Sequence, residues 1–219
     1  MRCFLLLVLS GFALTALGSP LADGDVTVFL DNGDVVVIGD DASNDIIHEA
    51  EGDLAIRGRN GTTVNGSAEP FFLPPVEGRY FVDLGEGDDT FTTSTVLRPN
   101  SELHMGNGTD LVQIGNSTAS GRGLLIDTGA GDDIVDVQDS SFGRLKIMTG
   151  RGSDLVSFLF ADADLLAIQT GSGDDTVNLS ESTFTGRVSI MGGGGHDEFF
   201  EDNVSYLGTP PRIRGFEAP

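Results

Sequence analysis

Positive charge is scarce in this chain. Lys+Arg number 12 against 34 Asp+Glu, a formal net charge of −22. Phosphate backbones are held by clustered cations, so this balance argues against a nucleic-acid partner. It equally disfavours docking on an anionic membrane surface, and it favours metal cations as partners. Cysteine is nearly absent: the single residue, Cys3, lies in residues 1–18. Those residues read as a secretory signal peptide, with Arg2 as the positive start, an apolar stretch from Cys3 to Leu17, and small residues Ala16 and Gly18 before the cut. Cleavage would leave Ser19 first and no cysteine, hence no disulfide; the competing expectation is an uncut N-terminal anchor. No later segment reaches the ~18–20 apolar residues of a spanning helix, so the mature chain is expected to have no transmembrane segment. Proline is limited to 8, and the 31 glycines form no collagen-like triplet. With 39% hydrophobic residues and no long polar tract, the composition argues against disorder throughout.

What the chain does have is a repeat. Gly-x-Gly-x-Asp occurs six times, ending at Asp89, Asp110, Asp133, Asp154, Asp175 and Asp197. Its glycine pairs are Gly85 and Gly87, Gly106 and Gly108, Gly129 and Gly131, Gly150 and Gly152, Gly171 and Gly173, and Gly193 and Gly195. The first glycines are spaced by 21, 23, 21, 21 and 22 residues. Apolar columns flank each turn at steps of two, the strand period. Three residues before the first glycine stand Val82, Leu103, Ile126, Ile147, Ile168 and Ile190; six residues after it stand Phe91, Val112, Val135, Val156, Val177 and Phe199. The column five residues before has one exception, Ser101, and the column eight residues after fails at Thr93 and Glu201. A second, polar corner carries Phe142, Ala163 and Phe184, expected to pack inward.

A unit with about four inward residues cannot hold itself together, whereas stacked units bury one continuous core. The expectation is an all-β, right-handed parallel β-solenoid of about six regular coils over residues 79–202, a rod on the order of 29 Å at ~4.8 Å per coil. Hairpins in a sandwich are the less favoured alternative, because they need antiparallel partners and varied loops. Residues 19–69 read as a degenerate β cap, with Gly39 to Asp45 as a loosened turn. Residues 70–78, with Pro70, Pro74 and Pro75, read as a loop, and residues 203–219 as the C-terminal cap.

Stacking would set the six aspartates in file. At ~4.8 Å two unit charges repel by about 0.9 kcal/mol even in water, so something must relieve the column. A divalent cation wanting 6–8 oxygens would do so. An Asp accepting backbone N–H bonds, with no ion, is the competing account. The segment from Thr149 to Ser157 resembles the hemolysin-type (RTX) calcium-binding nonapeptide Gly-Gly-x-Gly-x-Asp-x-apolar-x, as do the segments from Thr128 to Asp136 and from Thr170 to Asn178. The resemblance covers roughly residues 79–202. It implies Ca2+ between coils, held by the six motif aspartates and by carbonyls around the twelve turn glycines named above. Two departures stand out. One motif recurs per ~21 residues, not per nine, and the family's first glycine is Leu84, Met105, Thr128, Thr149, Thr170 or Gly192 here.

Other constellations are weaker. Every Asp-Asp pair belongs to the repeat or, as Asp40-Asp41, to its loosened turn, so no unique catalytic carboxylates stand out for a glycosidase or polysaccharide lyase, and the chain is not expected to be an enzyme. His48, His104 and His196 are too scattered for a zinc site and read as solvated. Arg144, Lys146 and Arg187 lie near strand starts without an evident acidic partner. The expected role is structural or adhesive, secreted or in the cell envelope, with cell-surface or matrix components as partners. A metal-free scaffold is the alternative.

Overall fold

The computed structural model describes residues 24–50, 54–119, 121 and 123–217; the expected signal peptide with Cys3 lies outside the described residues. The described residues form a 13-stranded sheet, a nine-stranded sheet and no helix. Each coil runs through both sheets, for example as Ser101–Asn107 and Leu111–Gly115 joined by the Gly-x-Gly turn, and some coils add a short strand such as Thr118–Ala119 or Thr183–Phe184 to the larger sheet. Successive coils pair in parallel, so the apolar columns become continuous. Leu124, Leu145, Leu166 and Val188 lie in register in one sheet. Val112, Val135, Val156, Val177 and Phe199 lie in register in the other. The chain is a parallel β-solenoid, and the strand-period residues form its core.

The exceptions to the columns are resolved by polar partners. Buried Ser101 accepts the Tyr80 N–H through Oγ at 2.9 Å and donates to Arg98 O at 2.7 Å. Thr93 is buried beside His48, with Oγ1 3.2 Å from the ring Nδ1. His48 is therefore not solvated as expected: burial pushes its imidazole down to about 4, so it is neutral at physiological pH.

The coils vary in length at one place only. The register shows that the two extra residues of the 23-residue coil lie between Ala119 and Leu124, and the extra residue of the 22-residue coil between Phe184 and Val188. The glycine turns are never altered. At the corner before this insertion point Phe142, Ala163 and Phe184 face inward, in register as expected. The corner itself is left-handed in five coils, at Asn116, Asp139, Phe160, Glu181 and Asn203, with φ between 46° and 53°. Asparagine and aspartate suit that conformation; an exposed phenylalanine does not. Phe160→Asn is expected to stabilise the chain by about 1 kcal/mol, read as a melting temperature roughly 2–4 °C higher.

The N-terminal cap departs from the repeat. Asp34–Ile38 and Asp45–Glu49 pair in parallel with Tyr80–Asp83 and Thr90–Thr93, making one further coil. Beyond it the pairing turns antiparallel: Asp25–Asp31 folds back on Asp34–Ile38 through the Asn32-Gly33 turn, and Ala55–Gly58 folds back on Asp45–Glu49. The two-residue strand Thr63–Val64 pairs in parallel with Asp25–Asp31 at the outer edge, and the antiparallel reversals with this short edge end the stack without offering another identical face. Within residues 70–78, expected as a loop, Phe71–Phe72 is a short strand on Ala55 and Ile56. At the other end Ser205–Tyr206 and Arg212–Arg214 begin a partial last coil.

Candidate functional site: the acidic turn file

The turn is built by its two glycines. Both take positive φ in every motif, for example +98° at Gly129 and +139° at Gly131. A second constraint comes from stacking. A Cβ on Gly131 would sit almost on Gly108 O, and one on Gly129 almost on Gly106 O. Neighbouring coils approach so closely there that only a hydrogen fits.

This close approach brings the six motif aspartates into one file inside the molecule, each 0–2% exposed. The backbone N–H of one Asp donates to the carboxylate of the next: Asp89 to Asp110 Oδ1 at 2.8 Å, Asp110 to Asp133 at 2.9 Å, and Asp133 to Asp154 at 2.9 Å. Asp154 to Asp175 at 3.0 Å and Asp175 to Asp197 at 3.1 Å complete the run. The acceptor therefore belongs to the neighbouring coil and not to the same turn. Two members were not foreseen. Asn44 donates its N–H to Asp89 Oδ1 at 2.6 Å, and Asp197 donates to Glu217 Oε2 at 2.6 Å. The loosened turn before Asp45 signalled the first, since Ile46 falls in register with Phe91; nothing periodic signalled Glu217.

The second oxygen, Oδ2, is buried on all six aspartates without a hydrogen-bond partner among the described residues. Burial raises Asp89 to about 7, Asp110 to about 8 and Asp154 to about 6, and it also raises Asp133 and Asp197. The N–H bond to the carboxylate opposes that rise in each, after the Thr128 and Thr149 hydroxyls at Asp133 and Asp154, and neighbouring file members add to it at Asp110, Asp154 and Asp197. Part of the file thus carries protons at neutral pH. With Oδ1 occupied as an acceptor, Oδ2 is the atom that takes them.

A second, exposed file runs outside it. Asp88, Asp132 and Asp174 each accept an N–H from the coil that follows, Thr109 at 2.8 Å, Ser153 at 2.7 Å and His196 at 2.8 Å. On the inner side Thr149 Oγ1 donates to Thr170 O at 3.0 Å, and Thr170 Oγ1 to Gly192 O at 3.1 Å. These threonines are fully buried, so they form a hydroxyl ladder with no exposed face.

The donors suit a calcium ion only in part. Six carboxylate oxygens without partners are available. Of the carbonyls beside them some are engaged, Gly85 O accepting from Asn107 N at 3.0 Å, Asn107 O from Gly87 N at 2.9 Å and Ala130 O from Gly108 N at 2.8 Å, whereas those of Gly87, Gly108, Gly131, Gly152 and Gly173 accept no hydrogen bond among the described residues. Among the described residues no three acidic or histidine side chains converge as a metal cluster. Side chains alone therefore do not assemble a shell of 6–8 oxygens, and turn carbonyls would have to complete it. No family model, curated protein or solved structure matches the chain.

Proposed function

We propose that the chain is an exported structural or adhesive solenoid, and that its buried aspartate file clamps the coils together without a metal. The observation that carries this reading is the unbroken relay of N–H to carboxylate bonds from Asn44 to Glu217. Each link gives the turn a charge-assisted bond where the carboxylate is ionised and a neutral one where it is protonated, so repulsion along the column is relieved by protons. No reaction is proposed, because every Asp-Asp pair belongs to the repeat except Asp40-Asp41, which lies in the loosened turn of the cap.

Calcium as a folding cofactor is the second reading, favoured by the partnerless Oδ2 atoms. A cation binding only the folded array would add about 2.7 kcal/mol at a hundred times its Kd. Calorimetric calcium titration of the chain, with melting followed by circular dichroism in calcium and in chelator at one pH, separates the two. The metal-free clamp predicts no isotherm and unchanged melting. A melting temperature raised by roughly 5–10 °C in calcium would establish the second reading instead.

A further inference from the structure

The outer face of the larger sheet breaks the charge pattern of the molecule. Arg144, Lys146, Arg187, Arg212 and Arg214 are all exposed there, five of the chain's 12 Lys+Arg. None of them makes an ion pair with another described residue, whereas Arg57, Arg59 and Arg79 in and beside the cap are all paired. The strand register arranges the five in rows. Lys146, Ala167, Ser189 and Arg212 lie side by side across four coils, and Met148, Gln169, Met191 and Arg214 form the row beyond. The Arg187 carbonyl accepts Leu166 N–H, which sets Arg187 beside Leu165, the register partner of Arg144. Along the Lys146 row, on the side of Arg144 and Arg187, runs an open groove of about 820 Å³, walled by Arg144, Lys146 and Arg187 and floored by Leu165 and Ala167. Thr185, Gly186, Gly208 and Thr209, at the corner where coil length varies, line its end.

We infer that this groove binds a sulfated polysaccharide. Counted with Arg212 and Arg214 on the next coil, the cations of this face span three coil spacings, about 14 Å, which suits a linear polymer better than a single small anion. Four of the five are arginines, whose planar forks match tetrahedral and planar oxyanions bidentately. Single-stranded nucleic acid needs aromatic platforms for its bases, and the rows offer Leu165, Ala167, Ser189, Met148, Gln169 and Met191 instead. The net charge of −22 repels any polyanion at a distance, but screening confines that repulsion to about 8 Å at physiological salt, so the local patch decides binding.

The test is calorimetry of the full chain with dextran sulfate, uncharged dextran and single-stranded DNA. Binding to dextran sulfate alone, weakening as salt rises, is expected. Replacing Arg144, Lys146 and Arg187 by alanine should lower the affinity roughly a hundredfold with melting unchanged, while Arg57→Ala leaves it intact. Lys146 is the only lysine, so its acetylation in the folded wild-type chain gives a readout independent of any variant's folding. Dextran sulfate should slow that modification and dextran should not. Absence of binding, equal or tighter binding of DNA, an unaffected triple variant, or unprotected Lys146 would each overturn the inference.

Discussion

Gly131→Ala should abolish or nearly abolish the folded state, at a cost of roughly 4 kcal/mol or more. Two penalties combine there. The backbone has φ +139°, a region nearly closed to residues with a Cβ, and the new methyl would collide with the carbonyl of Gly108 in the preceding coil. Neither can be relaxed locally, because moving one coil breaks register with both neighbours. Gly194→Ala, inside another turn of the same kind, is the matched control. Its φ is ordinary and a Cβ would meet nothing within 4 Å. Urea denaturation should show a large shift in midpoint for the first and almost none for the second. Equal effects would sink the close-approach account of the glycine column.

Stability should fall as pH rises from about 4 to 8. An aspartate raised to about 6, 7 or 8 in the folded chain but near 3.8 when unfolded binds more protons folded than unfolded across that window. Unfolding then releases protons, and higher pH favours it. The stabilising contribution is complete below about pH 4 and is lost progressively as Asp154, Asp89 and Asp110 titrate in turn. Five raised carboxylates make the total on the order of a few kcal/mol, a melting temperature roughly 10 °C lower at pH 8 than at pH 5 in chelator. Asp110→Asn retains the oxygen that accepts Asp89 N–H and removes the ionisation, so it should flatten the profile and stabilise the chain at pH 8. Asp110→Ala instead leaves that buried N–H without its acceptor, costing about 1–3 kcal/mol. A chain equally stable at pH 5 and 8 would remove the protonated file from the picture.

Much of this architecture was legible in the amino-acid order. Six turns at near-constant spacing, with Ile126, Ile147 and Ile168 repeating before them, admit few folds besides stacked coils. The file of aspartates followed from the same spacing. The side on which the carboxylates lie did not: Asp133 is buried because the turn folds it inward toward its neighbour's N–H, and a motif string carries no such direction. The antiparallel cap was likewise hidden, since Val26 to Leu30 alternates as a repeat strand would and only its partner decides the pairing sense. His48 looked isolated in sequence; its burial depends on Tyr80, whose ring centroid lies 4.6 Å away.

The relay of N–H donors and carboxylate acceptors runs in one sense from Asn44 to Glu217, which makes the two extremities of the rod chemically unlike. At the far extremity the final acceptor is borrowed from the tail. A rod lengthened by one more 21-residue unit would need only to displace Glu217 and supply its own aspartate. Two copies could join this relay only head to tail, so the molecule has a built-in arrow, and any filament grown along it would be polar.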